Sequence, residues 1–263
     1  MAVFTEGMPC WVDAQLPDLE GGKRFYGDLF GWTYGSYEKD EAERYGHYTE
    51  AFLDGELVAG LVPKRDGRMP TTWGVYFATD DATRTARRIG EAGGQVITAP
   101  VPVGRHGTTA LAADPGGAVF GLWQKGEHAG FEVQGKPGSF CWTEVYTREK
   151  EAVDRFYADV FGIQGTQLPD DDVDYLMWSP AGTEPGEDTA IGGRSVITDA
   201  FPAELPSHFL VYFSVADCDG TVETVTALGG RVTAPPFDIP YGRMAVLTDN
   251  QGAAFAVLAE PSK

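Results

Sequence analysis

Apolar and polar residues alternate along this chain in short runs cut by Gly, Pro and Asp, a pattern of strands joined by tight turns. Residues 9–16, PCWVDAQL, read as a strand. Asp18 opens a helix as its N-cap, Phe25, Tyr26, Leu29 and Phe30 share one face of it, and Gly31 closes it. HYTEAFL (47–53) and ELVAGLV (56–62), joined by Asp54-Gly55, predict a hairpin, because Asp-Gly suits the two-residue turn. WGVYFAT (73–79) is a further strand. A second helix runs from about Asp81 to Glu91 and stops at Gly93-Gly94. Short strands follow near 95–98, 108–113 and 118–124, the last entered through Asp114-Pro115-Gly116-Gly117. The order is β-α-β-β-β, twice.

The pattern then starts again. Shifted by 131 positions, CWVDAQLPDLEGGKRFYGDLFG (10–31) lies on CWTEVYTREKEAVDRFYADVFG (141–162), with nine of 22 residues identical. VYFATDD (75–81) falls on VYFSVAD (211–217), GGQV (93–96) on GGRV (229–232), and DPGGAVF (114–120) on DNQGAAF (249–255). A fixed long period decides architecture before any local reading does. The expected organisation is a domain at 1–124, a glycine-rich charged linker at 125–138 and a second domain at 139–263. Four β-α-β-β-β modules with antiparallel sheets and helices on one side place the chain in the α+β class.

Composition narrows the partners. The chain has 263 residues with 20 basic and 39 acidic side chains, a formal net charge of −19, and 43% hydrophobic residues. That is enough apolar material for real cores, and the charge argues against nucleic acid or anionic membrane as a partner. No run of 18 apolar residues is present, so no transmembrane helix is expected. The opening MAVFTEGMPCWVD lacks a basic and an apolar region, and three widely spaced cysteines make no disulfide framework. A reducing cytoplasm is the expected compartment. A cationic ligand is compatible with the acidity.

PDLEGGKRFYGDLFGW, VYFATDDATRTARRIGEAGGQV and DPGGAVFGLW resemble the vicinal oxygen chelate superfamily, which includes glyoxalases, bleomycin-resistance proteins and extradiol dioxygenases. The resemblance covers nearly the whole chain, twice over. It implies two tandem domains, each of two βαβββ modules curled into an incomplete barrel around a cleft, and a chain equivalent to a fused homodimer, monomeric or weakly dimeric. Metal-dependent members carry ligands at three strand positions, which fall here on Trp11, near Gly74 and on Gly121, and again on Trp142, near Leu210 and on Ala256. None of these is an oxygen or imidazole donor. The expectation is that no metal and no other cofactor is used.

If the ligand position faces the cleft, strand alternation places Trp11, Asp13 and Gln15 there, and Trp142, Glu144 and Tyr146. The same parity selects Tyr76, Tyr212 and Trp123. The loop VGRHGTT offers Arg105 and His106 at the cleft mouth, and PYGRM offers Tyr241 and Arg243 in the second repeat. Two readings stay open for the indoles, core packing or contact with a planar or cationic ligand. Asp13 and Glu144 are either salt-bridged, with Arg105 or Arg243 as partner, or general bases, with Tyr76, Tyr212 or His106 as donor. Four unpaired histidines, His47, His106, His128 and His208, build no metal motif. The Phe25-Tyr26 and Phe156-Tyr157 pairs, and Cys10 and Cys141, are expected in the core. The functional expectation is a metal-free binder of a planar aromatic metabolite or antibiotic, neutral or cationic, serving sequestration or resistance as bleomycin-binding proteins do. The alternative is a metal-independent tailoring enzyme of secondary metabolism, an isomerase, cyclase or hydroxylase, using carboxylate and tyrosine acid–base chemistry.

Overall fold

The computed structural model describes residues 4–35, 46–64, 66–67, 70–169 and 173–261. In the first repeat, β1 (Pro9–Leu16), α1 (Leu19–Phe30), β2 (Thr33–Tyr34), β3 (Thr49–Leu53) and β4 (Glu56–Pro63) form one module. The next is β5 (Thr72–Ala78), α2 (Ala82–Glu91), β6 (Gln95–Val103), β7 (Gly107–Ala113) and β8 (Val119–Lys125). The second repeat runs β9 (Phe140–Thr147), α3 (Lys150–Phe161), β10 (Gln164–Gln167), β11 (Tyr175–Ser179), β12 (Gly192–Val196), then β13 (His208–Ser214), α4 (Cys218–Ala227), β14 (Arg231–Ile239), β15 (Gly242–Thr248) and β16 (Ala254–Ala259). Among the described residues the β-α-β-β-β order read from the sequence holds in all four modules. The alternation did not reveal β2, because two residues are too short to show a period.

Local signals explain the boundaries. The Asp18 carboxylate accepts the Gly21 N–H at 2.9 Å, and Asp81 does the same for Arg84 at 2.9 Å, satisfying helix-end donors. Gly31 and Gly162 end α1 and α3 in left-handed conformation, at φ 74° and 71°. At the β3–β4 turn Asp54 and Gly55 both have positive φ, 53° and 85°, as the tight hairpin requires.

The strands form two open eight-stranded mixed sheets, in the orders β2-β3-β4-β1-β5-β8-β7-β6 and β10-β11-β12-β9-β13-β16-β15-β14. Parallel pairing joins β1 to β4, β5 to β8, β9 to β12 and β13 to β16. Alternation then sorts each strand into two faces. On β1, Cys10, Val12, Ala14 and Leu16 are fully buried on one face, and Trp11, Asp13 and Gln15 occupy the other. Burial also pushes up the Cys10 thiol, and raises Cys141 to about 12, so both are inert as nucleophiles.

Compact packing does not follow the repeats. One unit joins residues 75–130 of the first repeat with 143–210 of the second, and also takes in 1–11; the other joins 12–74 with 131–142 and 211–263. Each unit thus contains one module from each repeat, and the boundaries fall inside β1, β5, β9 and β13. In the first unit Phe77, Phe120, Tyr157, Phe161, Trp178 and Phe209 form an aromatic core, where the Tyr157 hydroxyl donates to Asp114 Oδ2 at 3.2 Å. In the second, Tyr26, Phe30, Trp32, Trp73, Phe213 and Phe255 do so, and Tyr26 donates to Asp249 Oδ2 at 2.9 Å. The repeated DPGG and DNQG turns therefore supply an aspartate that holds a helix tyrosine. Within the glycine-rich 125–138 stretch Phe131 and Val133 are buried, and Phe131 stacks on Phe140 at 4.8 Å.

Candidate functional site

Asp13 and Glu144 stand at matching places on β1 and β9, only 4% and 9% exposed. A carboxylate so placed is costly unless hydrogen-bond donors reach it. In parallel register Asp13 lies opposite Gly60 and Glu144 opposite Gly193. Register partners on adjacent strands project from the same sheet face, about 4.8 Å apart. A β-carbon at Gly60 would overlap the hydroxyl of Tyr48, and one at Gly193 the hydroxyl of Tyr175. Each glycine is therefore required by a phenol that fills its side-chain space, next to the buried carboxylate. A phenol can donate where an ionised carboxylate can only accept. The same carboxylate–glycine–tyrosine arrangement occurs once in each compact unit.

Around Glu144 the face continues with aromatic groups. Tyr146, two residues on, stacks on His208 with ring centroids 5.2 Å apart and planes within 9°, and Phe201 meets Tyr146 edge-on at 6.0 Å. His208 Nδ1 is 2.9 Å from the Pro206 carbonyl, which can only accept, so Nδ1 carries the proton. Burial lowers the His208 pKa, with the Pro206 contact opposing. The ring is neutral near pH 7 and presents Nε2 as an acceptor. Tyr146 and His208 are both half-buried.

In the first repeat the indoles are closed in. Trp11 is 4% exposed, its ring met edge-on by His128 at 4.5 Å, and Trp123 is 9% exposed with Nε1 donating to the His128 carbonyl at 2.9 Å. Burial, with His106 adding, depresses the His128 pKa to about 4. The His106 carbonyl accepts from the His128 N–H at 3.1 Å, so the turn at 104–106 anchors this segment. Tyr76 lies over Gly121, where a β-carbon would overlap its ring.

The remaining expected residues stand elsewhere. Arg105 pairs with Glu127 at 3.0 Å, and Arg243 with Asp219 at 2.5 Å and Asp238 at 3.1 Å, all solvent-facing. The expectation that either arginine clamps a buried carboxylate is corrected by these pairs, because surface acidic residues beside each guanidinium engage it first. Tyr241 is 40% exposed on the β14–β15 turn. Trp142 and Gln15 are half-buried, and Tyr212 is buried, in register with Ala256. The sequence does not single out Tyr48 or Tyr175, and it offers His208 only as one of four histidines that build no metal motif, with no sign of its Tyr146 ring partner. A signal existed in the Gly60 and Gly193 counterparts, two positions off the main repeat offset, but one shared glycine is too little to read.

The positions that the resemblance assigns to metal ligands do not fit a cation. Indole, glycine and alkyl groups offer no donor set, Gly121 faces the Tyr76 ring, and Leu210 and Ala256 are buried apolar residues. Among the described residues no group of three or more His, Cys, Asp or Glu converges on a cation site. Two surface depressions, of about 120 Å³ beside Phe4, Asp80 and Trp123 and about 380 Å³ beside Asp18, Arg24 and Gln251, lie outside the carboxylate–tyrosine pairs. No helix among the described residues is long and apolar enough to cross a membrane.

Comparison with known proteins follows the repeat. A family model described as the Glyoxalase/Bleomycin resistance protein/Dioxygenase superfamily matches residues 11–122 and again 142–257. The chain is similar to the anthracycline biosynthesis protein DnrV of Streptomyces peucetius, 37% identical over 272 residues covering 98% of this chain and 95% of that protein. It is similar to CFP32 of Mycobacterium tuberculosis, 36% identical over 259 residues, covering 97% and 95%. Among solved structures, the Mn(II)-bound glyoxalase from Novosphingobium aromaticivorans matches with TM-score 0.65 at 14% identity, covering 98% of this chain and 83% of that one, a likeness of fold.

Proposed function

Because the chain belongs to the Glyoxalase/Bleomycin resistance protein/Dioxygenase superfamily, we propose that it binds a planar, hydroxylated aromatic small molecule, without a divalent metal, against the sheet faces that carry Asp13 and Glu144. The observation that carries this reading is the carboxylate–glycine–tyrosine arrangement, present twice at corresponding places. Aromatic surfaces with a few placed polar groups are the usual lining of an organic-ligand site. The name of a relative 37% identical over nearly the full chain, an anthracycline biosynthesis protein, supports a fused-ring ligand of that type. The net charge of −19 favours an aminated, cationic form of it. The role is then to hold such a compound, in its making or its sequestration.

The test is a fluorescence titration of the full chain with hydroxyanthraquinones, with and without an amino substituent. Saturable quenching at micromolar concentration, tighter for the aminated compounds, is expected. No quenching by any of them would remove the proposal.

A second reading is favoured by the phenol beside each carboxylate. Glu144 would take a proton from a carbon next to a ketone, Tyr175 would donate a hydrogen bond to the enolate oxygen, and return of the proton at another carbon would complete an isomerisation or set up ring closure. A hydroxylation needs an oxidant that neither group supplies. Under this reading Glu144→Gln and Asp13→Asn together abolish turnover while affinity stays within a few-fold. Full turnover in the double variant contradicts it.

A further inference from the structure

The two repeats present unequal faces, and we infer that the chain takes one planar ligand rather than two, on the second-repeat face, where Tyr146 stacks on its ring and His208 Nε2 accepts its hydroxyl. This rests on the proposed function and adds which repeat binds and what reads the ligand.

Three observations carry it. First, Tyr146, on the strand that carries Glu144, stacks on His208 and meets Phe201 edge-on, and both the Tyr146 and His208 side chains remain half open to solvent. In the first repeat the matching positions are Gln15 and Thr72, which offer no ring. Second, the Pro206 carbonyl fixes the His208 tautomer, so Nε2 is an acceptor before any ligand arrives, and a phenolic O–H is the donor it fits. Such preorganisation avoids an ordering cost on binding. Third, the first-repeat indoles are already covered. His128 packs on both Trp11 and Trp123, its carbonyl takes the Trp123 N–H, and its own N–H is held by His106. A ligand there must first displace that segment.

The experiment is calorimetric titration of the full chain with 2,6-dihydroxyanthraquinone, whose hydroxyls are free of the quinone carbonyls. One ligand per chain is expected. Tyr146→Ala and His208→Leu each weaken binding by about tenfold, the scale of one stacking contact or one hydrogen bond, and His208→Gln, which keeps an acceptor, recovers part of the loss. His128→Gly uncovers the first-repeat indoles and raises the stoichiometry to two. Circular dichroism confirms that each variant is folded. Two ligands on the unaltered chain, or one ligand insensitive to both Tyr146→Ala and His208→Leu, overturns the inference and leaves the proposed function standing. Failure of the anthraquinone and of every other planar phenol to bind overturns both.

Discussion

Tyr26→Phe removes a single oxygen, yet two buried groups depend on it. The Tyr26 hydroxyl donates to Asp249 Oδ2 at 2.9 Å and accepts from Trp73 Nε1 at 2.9 Å, and all three residues are buried. Leaving a buried polar group unsatisfied costs about 1–3 kcal/mol, more for a charged one, so the substitution should cost roughly 3–5 kcal/mol. Its counterpart, Tyr157→Phe, strips only the 3.2 Å bond to Asp114 Oδ2 and takes no acceptor from an indole; the other carboxylate oxygen keeps backbone donors in both cases, Ala118 N–H on Asp114 Oδ1 and Gln251 and Ala253 N–H on Asp249 Oδ1. That change should cost about 1–2 kcal/mol. Burial raises Asp114 to about 6, with the Tyr157 bond among the groups opposing. The carboxylate therefore misses the phenol above pH 6, and the protonated acid misses it less. The Tyr157→Phe penalty should shrink as pH falls from 7.5 to 5. Urea unfolding followed by circular dichroism at both pH values measures this. Equal penalties for the two variants at pH 7.5, or a Tyr157→Phe penalty that grows in acid, would refute the argument from hydrogen-bond count and burial.

Other consequences are open to simpler assays. Of the six tryptophans, Trp11, Trp32, Trp73, Trp123 and Trp178 are all 9% exposed or less, and Trp142 alone is half-buried. Trp142→Phe should therefore remove most of the acrylamide-quenchable emission, and unchanged quenching contradicts the burial pattern. Gly193→Ala forces Tyr175 out of the space beside Glu144; a stability loss of about 1–3 kcal/mol by thermal or urea unfolding is expected, with weaker ligand binding. His128 stays neutral in the folded protein down to about pH 4, against 6.5 when unfolded. Its folded pKa is depressed, so the unfolded state gains a proton first and stability is lost as pH falls from 6.5 towards 4, by up to about 3 kcal/mol. His128→Asn should abolish that component of the acid sensitivity, and an unaltered pH–stability curve counts against it.

The repeat, the module order and the faces of each strand were legible because they depend on local period and on identities such as Phe25-Tyr26 and Phe156-Tyr157. What covers each face was not. Alternation says that Phe77 and Phe213 are buried, but not that Phe77 packs with residues of the other repeat, Tyr157 and Phe161. The compact units interleave the modules for that reason. Asp13 and Glu144 were found as inward carboxylates by parity alone. Their tyrosines escaped because Tyr48 and Tyr175 come from neighbouring strand segments, and only the register with Gly60 and Gly193 brings them close. The arginines misled for the opposite reason, since a guanidinium near a cleft loop pairs with whichever acid is adjacent on the surface, and this chain has many.

Organic groups, not a coordinated ion, recognise the ligand, and calorimetric titration with 2,6-dihydroxyanthraquinone, which has no chelating oxygen pair of its own, before and after exhaustive chelation tests this directly. The same affinity is expected in excess chelator and in added Mn(II), falling when Glu144→Gln and Tyr175→Phe are combined. Binding that disappears on chelation and returns with the divalent ion would contradict it.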